Sequence, residues 1–153
     1  MNNYNAVKEV MVALHSTAIF RLKQTWQNVS SRYMERYHEL HRNVSGEMSY
    51  SRLRSLHRDM RPPCIPFYGL HLTDLTFISD GNSEFLRGGF CINFYKCRKL
   101  GEVMRELEPS SSERYSFESL PHVQRFLATA PAWDEEQCYQ QSLRLEEWKG
   151  PPK

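Results

Sequence analysis

Histidine and cysteine are the residues most apt for chemistry here, and their spacing is the first thing to test. His38 and His41 stand three apart in the run His38-Glu39-Leu40-His41. Two histidines four apart share one helical face and can grip zinc, with a glutamate between them as base. This run is one residue short of that spacing. No third ligand is evident either, because His57 falls in a different predicted helix. Cys64 and His71 could be read as a nucleophile with its base, but their spacing fits no known arrangement, and a buried core thiol is the plainer reading. None of the many serines lies in a nucleophile elbow, and no glycine-rich phosphate loop is present. The inventory therefore points to a binding module rather than an enzyme of the covalent kind. No metal and no cofactor are expected.

Bulk properties narrow the class further. The chain has 153 residues, enough for one domain with a real core. Charged residues make up 25% and hydrophobic ones 40%, the balance of an ordinary globular protein. A formal net charge of +2 is too mild to argue for nucleic acid. The longest basic cluster, Lys96 to Lys99, is broken by Cys97 and reads as a solvated helix face. Cys64, Cys91, Cys97 and Cys138 form no CxxC pair, so they are expected to be reduced thiols, not a disulfide frame. The opening Met1 to Asn5 is polar and predicts no signal peptide, no apolar run is long enough to span a membrane, and no lipidation box is expected at the end.

Helices must position whatever site there is, since strand signals are scarce. Val7, Val10, Met11 and Leu14 recur on one helical face. Ser16 and Thr17 mark a break, and Ile19, Leu22 and Trp26 carry a second helix. Ser30 or Ser31 caps a third, with Met34, Tyr37, Leu40 and Val44 as its stripe. Asn43 to Ser49 is expected to be a loop. Leu53, Leu56 and Met60 predict a fourth helix ending before Pro62-Pro63. A helix starting at Pro66 follows. It is apolar nearly all round, so it is either buried or offered to a partner, and Gly81 reads as its C-cap. Gly88-Gly89 predicts a tight connection. Asn93 caps a helix through Leu107, Pro109 to Ser112 reads as a mobile loop, and two more helices cover Pro121–Ala128 and Asp134–Leu143. Asp134 with Gln137 has capping-box spacing, and Trp133 is placed to staple back onto the first turn. The expectation is an all-α domain.

One stretch carries a specific resemblance. Pro63-Cys64-Ile65-Pro66-Phe67, followed after four residues by Leu72-Thr73-Asp74-Leu75, resembles the signature of the Ras guanine-nucleotide exchange factor catalytic domain, the Cdc25-homology domain. Asn2 to Ala6, Ala18 to Trp26, Ile92 to Lys99 and Tyr139 to Glu146 resemble further parts of it. The resemblance covers nearly the whole chain and implies an irregular helical domain, residues 1–148, with a projecting helical hairpin. It implies the C-terminal part of that domain, truncated at its N-terminus, and a disordered tail over 149–153.

What the resemblance implies for function is guanine-nucleotide exchange on a Ras-family small GTPase, nucleotide-free or GDP-bound. The hairpin would pry the switch regions apart, which is catalysis without covalent chemistry. The arms would be Pro66–Asp80 and Asn93–Leu107. Thr76 would face the metal site, where the family often has a larger apolar residue. Asp80 would imitate a phosphate charge where the family usually has glutamate. Asn82 would sit at the arm's tip, and Phe67 and Phe77 would pack on the GTPase. Localisation would be cytoplasmic, with membranes reached through the partner or further domains; no nucleic acid and no membrane insertion are implied. Read without the resemblance, Asp80 is a solvated acid near a helix C-terminus, where the macrodipole disfavours it by about 0.3–1 kcal/mol. Phe67 reads equally as core, Asn82 as a turn residue, and Thr73 and Asp74 as residues that hold the arm, a charge in an apolar helix needing a partner. Two other readings stand beside exchange: a non-catalytic GTPase-binding or scaffold remnant of the same fold, and a helical domain unrelated to GTPases.

Overall fold

Helices of 4 to 14 residues make up most of the described chain. The computed structural model describes residues 2–147 and 150, so the tail expected over 149–153 lies, Gly150 apart, outside the described residues. In chain order the elements are β1 (Asn2–Asn3), α1 (Tyr4–Leu14), α2 (Thr17–Phe20), α3 (Lys23–Gln27), α4 (Ser31–Val44), α5 (Glu47–Arg58), β2 (Cys64–Ile65), α6 (Tyr68–Gly81), β3 (Phe85–Leu86), β4 (Cys91–Ile92), α7 (Phe94–Leu107), α8 (Pro109–Ser112), α9 (Pro121–Thr129) and α10 (Glu135–Leu145). The all-α expectation holds, the strands being two-residue pairings. No described helix is long and apolar enough to cross a membrane.

Two compact units are distinguished, Met1–Lys8 with His41–Tyr115, and Glu9–Leu40 with Ser116–Lys153. The first is organised around Val44, Leu53, Cys64, Leu70 and Val103, all buried. β1 pairs parallel with β2. The Asn3 side chain accepts the Ala6 N–H at 2.9 Å and so caps the start of α1. The expected loop between α4 and α5 is shorter than the composition suggests: α4 runs to Val44, and Met48, Ser49 and Tyr50 are left-handed at φ 45–61° before α5 becomes regular. Each such residue costs roughly 1–2 kcal/mol relative to the right-handed helix. α6 and α7 pack on one another as a hairpin, joined by antiparallel β3 and β4 around Gly88 (φ 69°) and Gly89 (φ 102°). Those angles suit residues without a Cβ, and they bear out the tight connection expected there.

The second unit has Met11, Ala18 and Leu22 as its buried apolar residues, with α2 packed on α10. The helix expected through Ile19, Leu22 and Trp26 is in fact two, α2 and α3, interrupted at Arg21-Leu22. The interruption is stabilised from afar: Arg21 donates to the Ser142 carbonyl and the Glu146 carbonyl, both at 2.7 Å. Glu146 in turn accepts from the Thr25 N–H at 2.7 Å and the Gln24 N–H at 3.2 Å, capping the first turn of α3 with a carboxylate. Asp134 and Gln137 form the expected capping box. The stretch Pro109–Ser112, expected as a loop, is a short helix with Pro109 in its first turn.

Candidate functional site

The α6–α7 hairpin gathers the residues singled out from the sequence. α6 begins at Tyr68, two residues later than Pro66, because Phe67 is extended (φ −78°, ψ 97°) and Pro66 is buried beside it. The helix has no solvent-averse side all round. Leu70 and His71 are buried, whereas Tyr68, Leu72, Thr73, Thr76, Phe77 and Asp80 are exposed and recur at helical spacing on one face. Leu72 is 61% and Phe77 72% exposed, so the face is apolar and wet at once. Of its two alternatives, this helix is the one offered outward.

The individual positions differ in character. Thr76 turns its hydroxyl onto the Leu72 carbonyl at 3.0 Å and leaves its methyl to the surface. Asp80 lies one turn beyond Thr76 and Phe77, and among the described residues no hydrogen bond or ion pair engages its carboxylate. Asn82 donates from its amide to the Ile78 carbonyl at 2.9 Å, closing the C-terminus of α6; Gly81 is the last helical residue and is not left-handed. Phe67 is separate from this face. It is half-buried at the base of α6, its ring 6.3 Å from that of Tyr50 and 5.7 Å from Lys8 Nζ. A Cβ on Gly69 would lie 2.5 Å from Phe67 Cζ, so glycine is what lets the ring lie there. Thus Thr76, Phe77 and Asp80 share one exposed face, while Asn82 caps the arm and Phe67 seats its base.

Supports of the arm come from Asn93 and Asp74, which the sequence singled out, and from Lys96, which it did not. Lys96 is buried, and its Nζ donates to the Ser79 carbonyl at 2.9 Å, tying the second arm to the last turn of the first. Asn93 does three things. It accepts the Lys96 N–H through its side chain, as its position before a helix predicts; it also donates its amide to the Ser83 carbonyl and its N–H to the Glu84 carbonyl, both at 2.8 Å. Asp74 finds the partner its place in an apolar helix requires, Arg54, in a two-pronged pair at 2.6 and 2.7 Å. Arg54, Asp74, Phe77, Ile78, Lys99 and Glu106 line a shallow groove of about 230 Å³ along the hairpin. Cys64 is buried and burial pushes its thiol up, which suits a core residue and not a nucleophile.

Comparison with known proteins gives this arrangement a family. Residues 1–98 match the RasGEF domain. The chain is 35% identical over 147 residues to Ras-specific guanine nucleotide-releasing factor 1 of Rattus norvegicus, covering 95% of this chain and 12% of that protein. It is 36% identical over the same length to Ras-specific guanine nucleotide-releasing factor 2 of Danio rerio, again 95% and 12%. It is 31% identical over 146 residues to Ras guanine nucleotide exchange factor Y of Dictyostelium discoideum, 95% and 10%. The chain belongs to the RasGEF domain family, and it spans about an eighth or less of the length of these relatives.

Proposed function

We propose that this chain carries the hairpin by which an exchange factor releases guanine nucleotide from a Ras-family small GTPase. The observation that carries the reading is the outer face of α6, where exposed Leu72 and Phe77 adjoin an acid that none of the described residues neutralises. An exposed apolar stripe costs solubility and is retained where a partner covers it. An unengaged carboxylate at a helix C-terminus, its less favourable end, fits a role outside the helix.

The mechanism is differential binding. A GTPase holds nucleotide through phosphate contacts, Mg²⁺ and ordered switch loops. α6 enters with Phe77, and Phe67 at its base, packed on the switch residues, and opens them. Asp80 brings negative charge toward the phosphate-binding loop, where it competes with the nucleotide's own phosphates. Thr76 faces the metal position and fills it only partly, its hydroxyl being turned back on its own helix. A chain that binds the empty GTPase more tightly than the loaded one weakens nucleotide by the same factor. No bond is made or broken in the GTPase, and net direction follows the excess of GTP over GDP in the cell.

Release of a fluorescent GDP analogue from a panel of small GTPases, with and without the chain, tests the reading and names the partner. Acceleration on at least one Ras-family member is the expected result. A folded chain that accelerates none contradicts exchange and favours the binding remnant of the same fold.

A further inference from the structure

Behind the hairpin, facing away from its exposed stripe, lies a pair of histidines that the mechanism above does not use. His71 of α6 is 2% exposed, and His57 of α5 is half-buried. Their rings are nearly parallel, 12° apart, with centroids 5.3 Å apart, and His71 Nε2 lies 3.3 Å from His57 Nδ1. The rings are stacked, and the approach of one nitrogen from each ring is within hydrogen-bond distance. On its other side His57 Nε2 receives the backbone N–H of Phe67 at 3.3 Å.

The Phe67 N–H can only donate, and this fixes every proton in the chain of contacts. His57 Nε2 must be a bare acceptor, so a neutral His57 carries its proton on Nδ1 and donates it to His71 Nε2. His71 then carries its own proton on Nδ1, which makes no hydrogen bond among the described residues and lies 3.8 Å from Glu106 Oε2. Either ring gaining a proton would place two donors face to face or strip Phe67 of its acceptor. The surroundings disfavour such a proton on balance: burial lowers both histidines, and the facing groups are Tyr4 of α1 against the His57 ring, Arg54 and Arg58 of α5, Asp74 of α6 and Glu106 of α7.

We infer that His57 and His71 form a neutral two-ring relay that holds the backbone of Phe67, and so act as positioning residues for the aromatic at the base of the hairpin. The relay gives the N–H of Phe67, the extended residue just before the first turn of α6, a side-chain partner on another helix. A shift of Phe67 moves the entry of α6, and with it the alignment of Phe77 and Asp80. The consequence for exchange rests on the function proposed above; the relay itself does not.

Three readouts on the 153-residue chain test it. Nitrogen-15 NMR of the histidine rings should show both as neutral Nδ1–H tautomers at pH 7. Hydrogen exchange should show the Phe67 amide protected, with protection lost in His57→Leu and restored in His57→Gln, whose amide oxygen can reach the same N–H. Stimulated GDP release should fall about tenfold in His57→Leu, as expected for a lost buried hydrogen-bond partner, and recover in His57→Gln. A wild-type His57 protonated on Nε2 overturns the relay, as does a folded His57→Leu that keeps both Phe67 protection and the full rate. If the wild-type chain stimulates no GTPase, the exchange reading fails, and the tautomers and the Phe67 amide still decide whether the pair holds Phe67.

Discussion

Asp80 and Phe67 mark the two extremes of what a single residue contributes here. Asp80 is exposed, and none of the described residues engages its carboxylate. Asp80→Ala should therefore change stability by no more than about 0.5 kcal/mol. Phe67 is held by contacts on several sides, Gly69 among them. Gly69→Ala should gain up to about 1 kcal/mol of helix propensity, yet force the Phe67 ring aside, since the new methyl would lie 2.5 Å from it. The predicted outcome is slower stimulated GDP release with little loss of thermal stability, measured on the same preparation. At this scale the sequence was legible where chemistry is local. Asn93 before a helix, Asp134 with Gln137 three residues on, and Asp74 wanting a partner all follow from rules that act over one turn. The relay was not legible, because His57 and His71 are 14 residues apart and their meeting depends on how α5 packs against α6.

The elements were legible in kind and less so in extent. α6 was recognisable as a helix with too many apolar residues for a solvent face, and the structure assigns that excess to an outward stripe. The break between α2 and α3 was hidden, because Arg21 is held by carbonyls more than 120 residues away. The hairpin's tip depends in the same way on Lys96, which looked like one member of a basic cluster and is instead a buried clasp on Ser79. Lys96→Met keeps the packing of the stem and removes the charged hydrogen bond, worth about 1.5–3 kcal/mol. Amides at the tip, between Ser79 and Asn93, should exchange faster in that variant while those of the core helix α5 stay unchanged; equal loosening of both would refute a local clasp.

For the whole molecule, the helical class and the family were readable from the chain, while its division into two compact units was not, since residues of α1 and α4 belong to both. Acid sensitivity is a property at this scale. His57 is pushed down to about 4 by burial first, then by His71 and Arg54, and His71 is lowered as well, chiefly by burial. A histidine whose folded pKa lies below its unfolded value of about 6.5 is protonated more readily when unfolded. The stability it contributes is complete above that unfolded value and is lost as pH falls toward the folded one. The melting temperature should therefore drop between pH 7 and pH 4, and the drop should shrink when both histidines are replaced by glutamine.

In the proposed function the outer face of α6 weakens nucleotide binding, with Asp80 as the charge that competes with phosphate. The most direct test compares wild type and Asp80→Ala on the GTPase found to respond, reading both GDP release and affinity for the nucleotide-free GTPase. The variant is expected to bind the empty GTPase nearly as well and to lose most of the acceleration. An Asp80→Ala chain that releases GDP as fast as wild type would contradict it.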